Sequence, residues 1–155
     1  MELADILAEE SVFVCTDIAT KRDVLEKLAD KVAALTGHPA AEVFEALNDR
    51  ESLGSTGLGN GIAVPHGKYA ALKGVMAVFM KLTRPVDFEA VDDQPVDIVM
   101  MLLAPMGAGA DHLKALARVA RVLRTDSIAE ALRRTDDPER LYAILTQPLA
   151  TVQAA

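Results

Sequence analysis

A histidine lies inside the most glycine-rich segment of this 155-residue chain. His66 belongs to the run GSTGLGNGIAVPHGK at residues 54–68, which contains five glycines. Such a density is costly, because glycine loses more backbone freedom on folding than any other residue. It suits a backbone whose N–H groups approach an anion, and a neutral imidazole is a good nucleophile near pH 7. The segment therefore predicts a histidine that handles a phosphoryl group. The alternative is a surface loop with an incidental histidine.

Two further residues could hold an anion beside this histidine. Val43, Leu47 and Arg50 share one otherwise apolar helical face, so the guanidinium must reach either water or an anion. Its planar fork of donors suits phosphate oxygens. His112 follows Asp111, the predicted N-cap of a helix, where the helix dipole disfavours imidazolium and favours a nearby anion. The residues alone leave open that Arg50 only complements its helix end and that His112 is an ordinary surface histidine.

Other phosphate-binding and metal-binding motifs do not fit this sequence. A P-loop has the form G-x-x-x-x-G-K-[ST], but Gly61 and Gly67 are one residue too far apart, and Tyr69 replaces the hydroxyl residue. The run GLGNG also lacks the spacing of a dinucleotide fingerprint. A zinc site from two histidines and a carboxylate has no support from a His-Glu-x-x-His pattern. We therefore expect no metal and no cofactor.

Composition limits the possible partners and compartments. The net charge of −7 offers no basic field for nucleic acid or an anionic membrane, so a protein partner is expected. No apolar run is long enough for membrane insertion, and the N-terminal residues do not resemble a signal peptide. The single Cys15 rules out an internal disulfide and fits a cytoplasmic protein. We expect one domain over residues 1–155, with its core at about 5–147 and a flexible, frayed tail at 148–155.

Hydrophobic spacing and capping signals predict the elements that position these residues. Thr20 and Asp23 indicate a capped helix that ends at Gly37, and Pro39 suits the first position of a second helix that runs to about Glu51. Helices on both faces of a mostly buried sheet would form one α/β domain. The other expected elements are strands at 11–15, 61–64, 75–82 and 96–104, and helices from Asp111, near 127–134 and near 138–146.

Three segments resemble one known family. The run DRESLGSTGLGNGIAVPHGK at residues 49–68 is closely similar to the active-site segment of fructose/mannitol-type enzyme IIA domains. These domains belong to the bacterial phosphoenolpyruvate-dependent phosphotransferase system. Residues 94–105 and 112–119 also resemble that family, and the similarity extends over nearly the whole chain. The chain is most similar to the nitrogen-related branch, which accepts phosphate from a dedicated phosphocarrier and regulates other proteins.

This resemblance implies a fold and a set of site residues. The fold is expected to be a three-layer α/β/α sandwich with a mixed central sheet. His66 is expected to carry the phosphoryl group, Arg50 to stabilise it, and His112 to assist its transfer. No metal or nucleotide would be needed, because the donor is another phosphohistidine. The amides of the glycine-rich segment would complete the phosphate-binding loop, whose residues are Gly54, Ser55, Thr56, Gly57, Gly59, Gly61 and Gly67.

The resemblance also implies a regulatory role. A histidyl phosphocarrier protein would phosphorylate the chain, and the phosphorylation state would control partner proteins, which in relatives include potassium transport systems and sensor kinases. Phosphorylation would add negative charge to a face that includes Leu53, Leu58 and Ile62. The unphosphorylated form is therefore expected to bind its target more tightly. Two alternatives stay open. One is a sugar-specific enzyme IIA that passes phosphate to a transporter's IIB domain, and the other is a non-catalytic module whose loop holds an anion.

Overall fold

The computed structural model of the chain describes residues 1–147, so the tail expected at 148–155 lies outside the described residues. A short 3-10 helix at Leu3–Asp5 precedes the first strand. The strands and helices that follow are β1 (Leu7–Cys15), α1 (Lys21–Thr36), α2 (Ala40–Glu51), β2 (Gly57–Gly59), β3 (Ile62–Ala63), β4 (His66–Lys68), β5 (Met76–Val86), β6 (Val96–Ala104), α3 (Ala110–Leu123), α4 (Asp126–Arg133) and α5 (Pro138–Leu145).

The strands form one mixed, six-stranded sheet. Its order is β1-β5-β6-β3-β2, and β4 also pairs with β6, directly after β3 along the same edge. The strands β1 and β5 run parallel, whereas β5 and β6 run antiparallel. Both short strands, β3 and β4, run parallel to β6, with Ile62 opposite Ile98 and His66 opposite Leu102. The mixed sheet expected from the sequence is therefore confirmed.

Helices cover both faces of this sheet. Residues of β6 alternate between two buried clusters, because successive side chains of a strand point to opposite faces. Ile98, Met100 and Leu102 pack with side chains of α3, α4 and α5. Val99, Met101 and Leu103 of the same strand pack with side chains of α1 and α2. These two clusters separate three layers, which confirms the expected α/β/α sandwich and explains why β6 reads as a continuous apolar run.

The capping signals of the first helix act as expected. The backbone N–H of Asp23 donates to Thr20 Oγ1 at 3.1 Å, and the backbone N–H of Thr20 donates to Asp23 Oδ2 at 3.2 Å. Gly37 follows the helix with a φ of 82°, the left-handed conformation that ends many helices. The sequence therefore located both ends of α1.

Other boundaries differ from expectation. Pro39 is the N-cap of α2 and not its first helical residue. Asp111 is not the N-cap of α3, because Gly109 takes that position with a φ of 37° and the helix begins at Ala110. His112 is therefore the third residue of α3. The strands β1 and β5 are longer than predicted, because they pair with each other, and β5 also with β6, through polar stretches. The strand β4 was not predicted, because it forms in a glycine-containing stretch by pairing with β6.

The turn between β2 and β3 is fastened to the C-terminal end of α4. Arg133 donates to the carbonyl of Asn60 at 2.6 Å and pairs with Asp97 at 2.9 Å. A Cβ added at Gly61, whose φ is 79°, would lie 2.6 Å from the Arg133 guanidinium and 3.0 Å from the Asp97 carboxylate. Glycine is therefore favoured at position 61 by its positive φ, and a side chain there would also displace the Arg133 guanidinium.

We expect Gly61→Ala to lower the free energy of unfolding by about 1–3 kcal/mol, because a methyl group would displace Arg133 and force strained backbone. Urea denaturation of both proteins measures this difference. Gly74→Ala is the matched control, because nothing lies within 4 Å of a Cβ at that position. Equal stability of the two variants would contradict the proposed packing role of Gly61.

Candidate active site

An open cavity of about 630 Å³ lies where the end of α2, β4 and the start of α3 meet. It brings together Arg50, His66 and His112, which are far apart in the sequence. Gly67 and Lys68 also line this cavity. The structure thus places the three principal candidate residues in one site and adds Lys68, a cation that the sequence analysis did not select.

The position of His66 depends on how closely β4 approaches α2. A Cβ added at Gly67 would lie only 2.9 Å from the carbonyl oxygen of Ala46, in the middle of α2. Because side chains alternate along a strand, position 67 faces α2 while His66 faces α3. The last turn of α2 then brings Arg50 to the same cavity. Glycine at position 67 therefore permits the contact that assembles the site.

One hydrogen bond fixes the tautomer of His66. Its Nδ1 lies 2.9 Å from the carbonyl oxygen of Val64. A carbonyl oxygen only accepts hydrogen bonds, so Nδ1 carries the proton and donates it. In the neutral ring the lone pair is then on Nε2. The ring therefore offers Nε2 as its nucleophilic atom.

The surroundings of His66 favour the neutral ring. Burial lowers the pKa of His66 below its usual value, and the positive charge of Arg50 lowers it further. The hydrogen bond to Val64 and the negative charge of Glu51 act in the opposite direction, but they leave the pKa lowered. A lowered pKa keeps the imidazole unprotonated at neutral pH, which is the state that can act as a nucleophile.

The second histidine lies close to the first and has an unused polar atom. The rings of His66 and His112 meet edge to face, with 5.8 Å between their centroids. His112 is 8% exposed, and its Nε2 is buried without a hydrogen-bond partner among the described residues. Burial, followed by the charges of His66 and Lys68, lowers the pKa of His112. An unsatisfied buried polar atom is costly, so a hydrogen-bond partner for Nε2 would be stabilising.

Arg50 and the residue after it are held by the loop that follows α2. Arg50 donates from Nη1 to the carbonyl oxygen of Gly54 at 2.9 Å. Glu51 is buried and accepts two hydrogen bonds from Thr56, at 2.9 Å from its backbone N–H and at 2.7 Å from its hydroxyl. Lys21 lies 3.0 Å from the same carboxylate. Glu51 was not among the residues predicted from the sequence, although a carboxylate at a helix C-terminus is unfavourable and signals local compensation.

The seven residues of the predicted phosphate-binding loop do not all reach the cavity. Gly67 lines it, and Ser55 and Thr56 line an adjoining cavity of about 210 Å³ that also contacts Arg50 and His66. Four of the predicted residues line neither cavity, namely Gly54, Gly57, Gly59 and Gly61. The loop is therefore not a continuous cradle around the imidazole.

Packing within the protein explains the polar and glycine residues of this loop. The Ser55 hydroxyl donates to the carbonyl oxygen of Phe88 at 2.6 Å. A Cβ at Gly57 would lie 2.8 Å from that of Ala90. The N–H of Asn60 donates to the carboxylate of Asp92 at 2.9 Å. These contacts attach the segment to the connection between β5 and β6.

Two further findings concern residues 1–147 as a whole. Within them, no group of three or more histidine, cysteine, aspartate or glutamate side chains is arranged to hold a metal ion. Over the same residues, no helix combines the length and apolar character needed to span a membrane.

Comparison with known families agrees with this fold. The family model described as "Phosphoenolpyruvate-dependent sugar phosphotransferase system, EIIA 2" matches residues 5–147. The chain belongs to this family of enzyme IIA domains. The resemblance inferred from residues 49–68 is thus confirmed. The chain is a component of a phosphotransferase system, as expected.

Similar proteins include members of the nitrogen-related branch. The nitrogen regulatory protein of Bradyrhizobium diazoefficiens is 48% identical over 151 residues, which cover 97% of this chain and 99% of that protein. The crystal structure of nitrogen regulatory protein IIA-Ntr from Neisseria meningitidis has a TM-score of 0.85 at 36% identity, over 92% of this chain and 98% of that one. IIA mannitol from Escherichia coli has a TM-score of 0.73 at 25% identity, over 89% and 97% of the two chains.

We expect Arg50→Ala to raise the pKa of His66, because the guanidinium charge is one of the causes that lower it. Lys68→Ala is the matched control: it should raise the pKa of His112 and leave that of His66 unchanged. Proton–nitrogen NMR titration of the imidazole rings measures both values. In the wild type, protonation of both rings should occur below the ordinary histidine pKa of about 6.5. A lower pKa for His66 in Arg50→Ala would contradict the assigned electrostatics.

Proposed function

We propose that this protein is a regulatory phosphoryl carrier that accepts phosphate from a histidyl phosphocarrier protein onto Nε2 of His66. The observation that carries the proposal is the hydrogen bond from Nδ1 to Val64, which leaves a neutral ring with its lone pair on Nε2. The ring lines a cavity together with the guanidinium-bearing Arg50 and the second histidine, His112. Similarity to nitrogen regulatory proteins supports the regulatory role.

The transfer is a displacement at phosphorus. The lone pair of His66 Nε2 forms a bond to phosphorus while the phosphorus–nitrogen bond of the donor phosphohistidine breaks. The electron pair of that bond returns to the ring nitrogen of the donor, and the Nδ1 proton of His66 stays hydrogen-bonded to Val64. Such a reaction needs positioning and electrostatic stabilisation more than covalent catalysis. Arg50 and Lys68 supply positive charge at the cavity that receives the phosphoryl group.

His112 assists this transfer without carrying the group. It lies in the first turn of α3, where the helix dipole stabilises negative charge. Its buried Nε2, when it bears the ring proton, donates to a phosphoryl oxygen and so gains the partner that it lacks in the free protein. A lowered pKa keeps His112 neutral, and this leaves its second nitrogen unprotonated.

An apolar rim around the cavity suits a protein donor and protein targets. Leu53, Met106 and Leu113 are 85%, 62% and 69% exposed, and all three line the cavity. The earlier expectation for this face was wrong for Ile62, which is only 2% exposed and belongs to the core, and Leu58 is half-buried. Exposed apolar side chains that surround a reactive group are typical of a surface that a partner covers.

Phosphorylation would act as a switch at this rim. It adds up to two negative charges, which a docking partner would have to desolvate. We therefore expect the unphosphorylated form to bind its regulated partner more tightly, with a coupling of about 1–3 kcal/mol. Potassium transport systems and sensor kinases are the partner classes to test. Titration of such a partner against phosphorylated and unphosphorylated protein measures the coupling, and equal affinities would contradict it.

Sugar transport is the second candidate function, and the likeness to IIA mannitol favours it. In that case the phosphorylated protein would pass its group to the IIB domain of a transporter. Incubation of the labelled protein with such a IIB domain and its sugar separates the two roles. Rapid loss of label from His66 would support transport, whereas retention of label would support regulation.

We expect His66→Ala to fold and to take up no phosphate from phosphoenolpyruvate, enzyme I and the phosphocarrier protein, because it lacks the nucleophile. His112→Ala is the matched variant, which should still be phosphorylated on His66 but should exchange phosphate with the donor more slowly. Phosphopeptide mapping under alkaline conditions locates the group. Phosphate found on residue 112 would reverse the two roles.

Leu113→Glu should weaken docking of the phosphorylated donor, because it places a charge in the apolar rim. We expect the donor concentration that gives half-maximal transfer to rise by roughly tenfold or more, which corresponds to about 1.4 kcal/mol. Val91→Glu is the matched control, because Val91 is 86% exposed and does not line the cavity. The same rise in both variants would argue against a docking role for the rim.

A further inference from the structure

A buried carboxylate lies next to Arg50 at an unfavourable place in its helix. Glu51 is the last residue of α2, where the negative end of the helix dipole disfavours a carboxylate. It is also only 7% exposed, and a buried charge costs several kcal/mol unless it is paired and hydrogen-bonded. Packing alone gives no reason for a charged group here, so its partners indicate what the carboxylate does.

Those partners close the loop that follows α2. Both carboxylate oxygens of Glu51 are used by Thr56, one by its backbone N–H at 2.9 Å and the other by its hydroxyl at 2.7 Å. These bonds hold residue 56 against the helix end and so confine residues 52–55 to a tight turn. The carbonyl oxygen of Gly54, inside that turn, is the atom to which Arg50 donates at 2.9 Å.

The loop therefore restricts the guanidinium. A free arginine side chain has about 2 kcal/mol of rotamer entropy, and a guanidinium that is already oriented loses less of it when it binds phosphate. The carbonyl of Gly54 occupies only Nη1, so the other N–H groups of Arg50 stay available to phosphate oxygens. Glu51 does not itself line the cavity that holds His66.

The charge of Glu51 is compensated on the side away from the cavity. Lys21 Nζ lies 3.0 Å from Glu51 Oε1 and 4.9 Å from the centre of the Phe88 ring. An unpaired carboxylate beside Arg50 would repel an incoming phosphoryl group. The ion pair and the two hydrogen bonds from Thr56 reduce that repulsion while the carboxylate keeps its hold on the loop.

We propose that Glu51 is a positioning residue for phosphoryl transfer. It acts through Arg50, by holding the loop 52–56 in the conformation in which the carbonyl of Gly54 orients the guanidinium. The inference rests on the proposed carrier function. Glu51 neither contacts the phosphoryl group nor lines the cavity. It should therefore affect the rate of transfer and not the docking of the donor.

Single-turnover transfer from the phosphorylated phosphocarrier protein tests the proposal. Glu51→Gln should lower the maximal rate by roughly tenfold and leave the half-saturating donor concentration nearly unchanged, because the docking rim is intact. Glu89→Gln is the matched control. Glu89 also lies near Lys21, at 3.7 Å, but its side chain is 78% exposed and it makes no bond to Thr56. The maximal rate of the Glu89→Gln variant should stay within about twofold of wild type.

A double-mutant cycle shows whether Glu51 acts through Arg50. In an Arg50→Ala background, which should itself be slower by roughly a hundredfold, Glu51→Gln should cause no further loss. An equal loss in both backgrounds, or no loss in the wild-type background, would overturn the proposal. If Glu51→Gln does not fold, Thr56→Val removes only the hydroxyl bond, and its smaller loss should likewise vanish with Arg50→Ala.

The same experiment separates this inference from the function on which it rests. Phosphoramidate, a small phosphoryl donor that needs no docking, serves as a second probe. Wild-type protein that accepts phosphate from neither donor would overturn the carrier function itself. Wild-type protein that is phosphorylated, together with an Arg50-independent effect of Glu51→Gln, would overturn only the role of Glu51.

Discussion

The contact between β4 and the backbone of α2 is the constraint on which the site depends. No side chain fits at position 67, because a Cβ there would lie 2.9 Å from the carbonyl oxygen of Ala46. This approach holds β4 between α2 and β6, and strand alternation then turns His66 toward α3. Arg50 and His112 reach the cavity from opposite layers of the sandwich. A site assembled from two layers is therefore fixed by the packing of the whole domain.

The charges of the site suit the anionic group that the proposed transfer would bring to it. His66 and His112 both have a lowered pKa and are therefore held neutral, while Arg50 and Lys68 provide positive charge. The free protein tolerates an unsatisfied Nε2 on His112, a cost that a phosphoryl oxygen would remove. Negative charge from Glu51 is kept outside the cavity and neutralised locally. The neutral imidazole of His66 and the two cations suit the binding of an anion, although the carboxylate-bearing Asp49 also lines the cavity.

The glycines of residues 54–67 could serve either anion binding or close packing, and the structure shows which of them are closely packed. At positions 57, 61 and 67 a Cβ would collide with neighbouring protein atoms, so glycine there serves close packing. The N–H of Asn60 is used by a side chain of the connection between β5 and β6. The glycine-rich segment thus combines packed positions with the placement of one histidine, and of its glycines only Gly67 lines the cavity that holds His66.

The sequence by itself determined the ends of α1, the strand β6 and the layered α/β architecture, and it selected Arg50, His66 and His112, which the structure brings to one cavity. These follow from local signals: a capping box at Thr20, continuous apolar character at 96–104, and a highly specific motif around His66. Only the tertiary structure decided the short strand β4, the true start of α3 at Ala110 and the contacts of Glu51. Each of these depends on partners distant in sequence or on backbone geometry, such as pairing with β6, the positive φ of Gly109 or the fold of a loop onto a helix end. The spacing of apolar residues along a chain indicates which residues share a helix or a strand, whereas the contacts between helices and strands form only when the layers pack.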